Sequence, residues 1–268
     1  MKKVLLPLLL LVVLQPLQAR ESVNITSEPG VPVEATVSTQ KAIDALLKIG
    51  LNQAGFTFQR NVRILLVKDD PGYEAALIRE LGVTPEEARR RVQTTKAWSA
   101  RDLIIQNVGG LPKVKQRIFN MGHEVFHQFQ TQLAGGKSNQ VMWLMEGSAD
   151  AMGTMVVEEC QQGSFDGYQQ DWLSIILKAD QLPLLSSLYE KDSWYDALKR
   201  YQNNVAYRVS GVACQMLIQK QGVKPMFNYF AELKSSKPEA AFKSAFGLNM
   251  KDYEAAYSVQ LDEVRRGR

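Results

Sequence analysis

His123 and His127 are the only two histidines in this 268-residue chain, and they stand four residues apart with Glu124 between them. On a helix, side chains at i and i+4 project side by side, so both imidazoles can reach one point at about 2.0–2.1 Å, the length of a nitrogen–zinc bond. Glu124, rotated by about 100° from His123, does not converge with them and is placed to exchange a proton with water held at that point. Eighteen residues separate His127 from Glu146, room for a helix end, a reversal and the start of a second helix. Glu146 is the expected third ligand, and three protein ligands leave a position for water, as catalytic zinc sites do. Asp150, one turn further on the same face, can accept a hydrogen bond from the free ring nitrogen of a ligating histidine and fix its tautomer. The chemistry these parts can perform is hydrolysis by a water whose pKa a metal ion has lowered to about 7, with Glu124 as general base.

Positioning them requires two helices. Over residues 111–133 the apolar positions Val114, Ile118, Met121, Val125 and Phe129 recur at steps of four and three, a stripe that must face a core. His123 and His127 fall on the other side, with Gln116, Asn120 and Gln130. Gly135-Gly136 breaks this helix, and residues 141–160 form the next, with Glu146 and Asp150 one turn apart. Upstream, residues 21–37 read as an extended lead-in, and Ser38 or Thr39 as the cap of a helix ending at Gly50. Residues 61–67 and 103–108 carry the β-branched, apolar composition of strands. Thr84-Pro85-Glu86-Glu87 is a capping box with proline at the first helical position, followed by Arg89, Arg90 and Arg91 on a solvated face. From residue 168 onward the pattern is almost wholly helical. The expected fold is α+β: a small sheet packed against the histidine-bearing helix, then a mainly helical carboxyl-terminal part. The division falls near residue 110, with a β-containing lobe over about 20–110 and a helical lobe over about 111–268.

The His-Glu-x-x-His pair together with Trp143-Leu-Met-Glu146-Gly-Ser-Ala-Asp150 resembles the gluzincins, zinc metallopeptidases with two histidines and a glutamate as ligands. It is similar in particular to the small bacterial peptidase-MA-like domains. The resemblance implies a thermolysin-like core, a Zn2+ cofactor held by His123, His127 and Glu146, Glu124 as base and Asp150 behind a ligand. It also implies a tyrosine donating to the oxyanion, for which Tyr207 is the candidate and Tyr201 the runner-up. The aminopeptidase branch carries a Gly-x-Met-Glu-Asn segment that holds the substrate's amino terminus. No such segment stands between Val92 and Gly122, so an endopeptidase acting on a peptide or protein substrate is expected. A different class of function with the same residues is a non-proteolytic zinc-containing module for binding or envelope assembly.

Lys2 and Lys3, the apolar run Val4–Leu14 and Leu17-Gln18-Ala19 have the order of a secretory signal with a cleavage site after residue 19. The run is interrupted by Pro7 and falls well short of the roughly 20 residues that span a bilayer. The expectation is therefore a periplasmic or secreted protein, residues 20–268, with no stable membrane insertion. Loss of Lys2 and Lys3 lowers the formal net charge from +4 to +2, too small to draw the chain to nucleic acid or to an anionic surface. Cys160 and Cys214 are the only cysteines; in an exported protein they can be joined, or they can be two small buried hydrophobes. The residues leave the oligomeric state open.

Overall fold

The computed structural model describes residues 22–202 and 204–266, so the signal expected over residues 1–19 lies outside the described residues. The chain is α+β, with helices dominating and one small mixed sheet. β1 (Val23–Ser27) leads to helix α1 (Val33–Ile49), β2 (Val62–Val67), α2 (Asp70–Leu81) and α3 (Pro85–Thr94), and the hairpin β3 (Ala97–Ala100) and β4 (Leu103–Asn107) follows. The sheet order is β1-β2-β4-β3, with β1, β2 and β4 parallel and β3 antiparallel on the edge. The register aligns Ile25 with Ile64, Ile64 with Ile104 and Ile104 with Ser99.

The rest is helical: α4 (Val114–Leu133), α5 (Met142–Glu159), α6 (Phe165–Lys178), α7 (Lys191–Arg200), α8 (Val205–Gln221), α9 (Lys224–Glu232), α10 (Pro238–Phe246) and α11 (Met250–Arg266). The caps are those the residue types favour. Asp69 accepts from Gly72 N at 3.0 Å, Thr84 from Glu87 N at 3.3 Å and Ser164 from Gly167 N at 3.1 Å. Ile118, Met121, Val125 and Phe129 of α4 are fully buried, each worth about 1.5–3 kcal/mol relative to exposure.

Three expectations needed correction. The segment over residues 21–37 is not a plain lead-in: it holds β1 and the first turn of α1, which starts at Val33 instead of at Ser38 or Thr39. Pro32, at φ −63° and ψ 138°, sets the helix entrance without a side-chain cap. The Ser38 hydroxyl turns back to the Ala35 carbonyl at 2.9 Å instead. Strand β3 was not foreseen; its four residues pair with β4, and Ser99 Oγ also accepts from Gln128 Nε2 of α4 at 2.6 Å. Val114 is 38% exposed, so the buried stripe of α4 begins at Ile118.

The two expected lobes share one core. A single cluster joins Ile43 and Leu46 of α1, Ile64 and Ile104 of the sheet, Phe126 and Phe129 of α4, and Phe227 and Phe230 of α9. The opposite face of the sheet carries a smaller cluster with Tyr73, Leu77 and Ile105. There Arg91, rather than standing free in solvent, lies 3.9 Å from the centroid of Trp98 and pairs with Glu87. Cys160 and Cys214 are both free thiols, so no disulfide joins them. Among the described residues no helix is long and apolar enough to cross a membrane.

Candidate metal centre

α4 and α5 are brought together by small residues. A Cβ placed on Gly153 would come 2.8 Å from the Phe119 carbonyl oxygen of α4. On the other side of α5, a Cβ on Gly147 would collide with the backbone carbonyl of Ser210 on α8. Glycine at position 147 therefore lets α8 approach the residue adjoining Glu146 closely.

In this hairpin His123, His127 and Glu146 converge as a group able to hold a metal ion. The Nε2 atoms of the two histidines are 3.0 Å apart, and Glu146 Oε2 lies 3.5 Å from that of His123 and 3.6 Å from that of His127. Ligands about 2.0–2.1 Å from a tetrahedral ion stand about 3.3–3.4 Å from one another, so the three atoms already have the edges of such a polyhedron. The other ring nitrogens are engaged: His123 Nδ1 with Asp150 Oδ1 at 2.9 Å, and His127 Nδ1 with Gln130 Oε1 at 2.6 Å. Both Nε2 atoms then present lone pairs to the same point, an arrangement that a cation stabilises.

The electrostatics agree. Burial disfavours the charged form of His123, but the Asp150 and Glu146 hydrogen bonds outweigh it and hold the ring well above its ordinary value. Burial works against ionisation of Glu146 as well, and the charges and hydrogen bonds of His127 and His123 overcome it, holding the carboxyl well below the usual range. The point of convergence thus favours positive charge.

Glu124, also buried, lies beside the ligands. Burial pushes its carboxyl up; His123 and His127 pull it down, as does a backbone hydrogen bond from Ser99 on edge strand β3. Tyr207 of α8 packs edge-on against Trp194, with ring centroids 4.9 Å apart. Its hydroxyl is held well above its ordinary pKa by burial and then by Glu146, Asp150 and Glu124, so it stands in the field of the site as a neutral donor. Tyr201 carries Arg200 over its ring at 5.5 Å and packs against the core.

Three participants escaped the sequence. Arg208 brings a guanidinium nitrogen within 3.5 Å of Asp150 Oδ2 and lies over the Trp172 ring at 5.0 Å. Gln130, singled out only as polar company for the histidines, bonds one of them. Tyr195 of α7 is 41% exposed; burial raises its hydroxyl and Glu146 adds to the rise, opposed by Arg91 and Arg90. Arg208 and Tyr195 act from elements distant along the chain, which no local spacing announces. Gln130 lies one turn from His127 on the same helix, and what the spacing could not show is that it also meets Met145 and Ser148 of α5. No family model matches the chain, and no curated protein matches it.

Proposed function

We propose that this protein is an exported zinc-dependent metallopeptidase of gluzincin type with a thermolysin-like core, acting as an endopeptidase on peptides or proteins outside the cytoplasm. The observation that carries the reading is the convergence of His123 Nε2, His127 Nε2 and Glu146 Oε2 with Glu124 beside them. Two imidazoles and one carboxylate at tetrahedral spacing suit Zn2+; Ca2+ and Mg2+ take oxygen ligands in larger numbers. Bound there, the ion supplies Lewis acidity that polarises a carbonyl and lowers the pKa of water to about 7.

The chain's own groups do the remainder. Glu124 accepts the proton of the attacking water and returns it to the leaving nitrogen, and the upward push of burial on its carboxyl suits a group that must hold a proton between two steps. Asp150 keeps the proton on His123 Nδ1, so that Nε2 remains a donor of its lone pair. Tyr207, protonated, donates a hydrogen bond to the developing oxyanion. β3 is an edge strand of the sheet and reaches Glu124 through Ser99, so an extended substrate can lie along it by adding a strand.

The test is metal analysis with cleavage of a peptide library, comparing wild type with Glu124→Gln. Loss of the base should reduce turnover by about 10²–10⁴-fold or more while the zinc content stays at about one per chain. Undiminished turnover in Glu124→Gln removes the mechanism. Zinc retained by a wild-type chain that cleaves nothing points instead to a non-proteolytic binding or assembly module.

A further inference from the structure

Gln130 lies one turn beyond His127 on α4 and is 1% exposed. Its Oε1 is 2.6 Å from His127 Nδ1, and its Nε2 is 2.8 Å from the Met145 carbonyl oxygen and 2.9 Å from Ser148 Oγ. An amide keeps donors and acceptor on different atoms, so its orientation follows from what its partners can offer. The Met145 carbonyl only accepts. The Ser148 hydroxyl donates to the Leu144 carbonyl at 2.6 Å, so towards Gln130 its oxygen accepts too. Two acceptors at one end require the NH2 group there; the reversed amide would set oxygen against oxygen in a buried site. Oε1 therefore faces His127, where it can only accept, and His127 Nδ1 must carry the proton. The lone pair is left on Nε2, the atom 3.6 Å from Glu146 Oε2.

We propose that Gln130 is a positioning residue that locks His127 in its Nδ1–H tautomer and, by gripping Met145 and Ser148 on either side of Glu146, registers two of the three ligands with one neutral side chain. The inference rests on the metal-centre reading above. His123 is prepared by a different device, the carboxylate of Asp150, which has no donor of its own and carries charge. A role as mere glue between α4 and α5 leaves the tautomer of His127 indifferent to the residue at 130, and that difference can be measured.

With two histidines in the chain, ring 15N spectra of metal-free protein report each imidazole without ambiguity. Wild type should show His127 as a single Nδ1–H form. In Gln130→Met, of similar volume but with neither amide group, His127 should become a mixture of tautomers, and the Kd for Zn2+ in chelator competition should weaken by roughly 10–100-fold. Gln130→Glu keeps an acceptor for Nδ1–H and should keep the single tautomer, with part of the lost affinity recovered. His127 remaining wholly Nδ1–H in Gln130→Met, or a Kd within about twofold of wild type, overturns the proposal. If Gln130→Met does not fold, as judged by circular dichroism, Gln130→Glu decides: an Nε2–H form of His127 there overturns the lock. A wild-type chain that binds no zinc defeats the metal-centre reading, and the ring-nitrogen spectra still decide the tautomer.

Discussion

Asp150 spends its two carboxylate oxygens on different neighbours, one on His123 Nδ1 at 2.9 Å and the other 3.5 Å from Arg208. Replacing it by asparagine preserves volume but removes the charge that both partners face. Asp150→Asn should weaken Zn2+ binding by roughly 10–100-fold, measured by chelator competition, with little change in helical content. The converging residues were legible from spacing: His123 with His127, and Glu146 with Asp150, are each i and i+4 on one helix, and the gap between the pairs leaves room for a helix end and a reversal. What stands behind them was only half legible. Asp150 shares a helix face with Glu146 and was found; Arg208 reaches it from α8 across a helix interface, a contact that no spacing encodes. The two histidines were also expected on a polar face of α4, yet that face is covered by α5, and Gln130 is buried there with its hydrogen bonds complete.

At the level of elements, the site depends on how closely α8 can approach α5. Gly147→Ala would drive a methyl group into the Ser210 carbonyl, and since backbone cannot swing aside as a side chain does, the helices must separate. The expected cost is about 1–3 kcal/mol of stability, read in denaturant unfolding. Zn2+ affinity should fall alongside it, because Glu146 adjoins the displaced residue. The long helices were readable from their periodic stripes and stop signals, and the part beyond residue 168, α8 (Val205–Gln221) included, is largely helical as expected. The short strands were not. β1 and β3, of five and four residues, owe their conformation to β2 and β4, partners remote in the chain or too briefly apposed to leave a pattern. The missed β3 matters most, since its Ser99 backbone hydrogen-bonds to Glu124.

Across the whole molecule, a buried carboxyl outside the candidate metal centre ties stability to pH. Glu254 of α11 is buried, accepts from Trp143 Nε1 at 3.0 Å and lines a surface hollow of about 530 Å3 with Tyr189 and Lys251. Burial raises its pKa, against hydrogen bonds from Tyr189 and Trp143 that lower it. A carboxyl whose folded value is raised binds its proton more tightly in the folded state, so its contribution is full below the unfolded value and is lost as pH rises through the folded one. Glu254→Gln keeps an acceptor for Trp143 without the charge. Its thermal midpoint should exceed that of wild type at about pH 8 and converge with it at about pH 4; a gap that widens in acid contradicts this. Trp143 stands one helical turn before Glu146. His123, His127 and Glu146 all lie on one helical hairpin, α4 and α5, whereas β1 meets β2 only after α1 has intervened. Closing the hairpin brings a short span of chain together at a small entropic cost, and contacts of short sequence separation form fastest. The group able to hold a metal ion is therefore built from one short, locally closed span of the chain and needs none of the long-range strand pairing that completes the sheet.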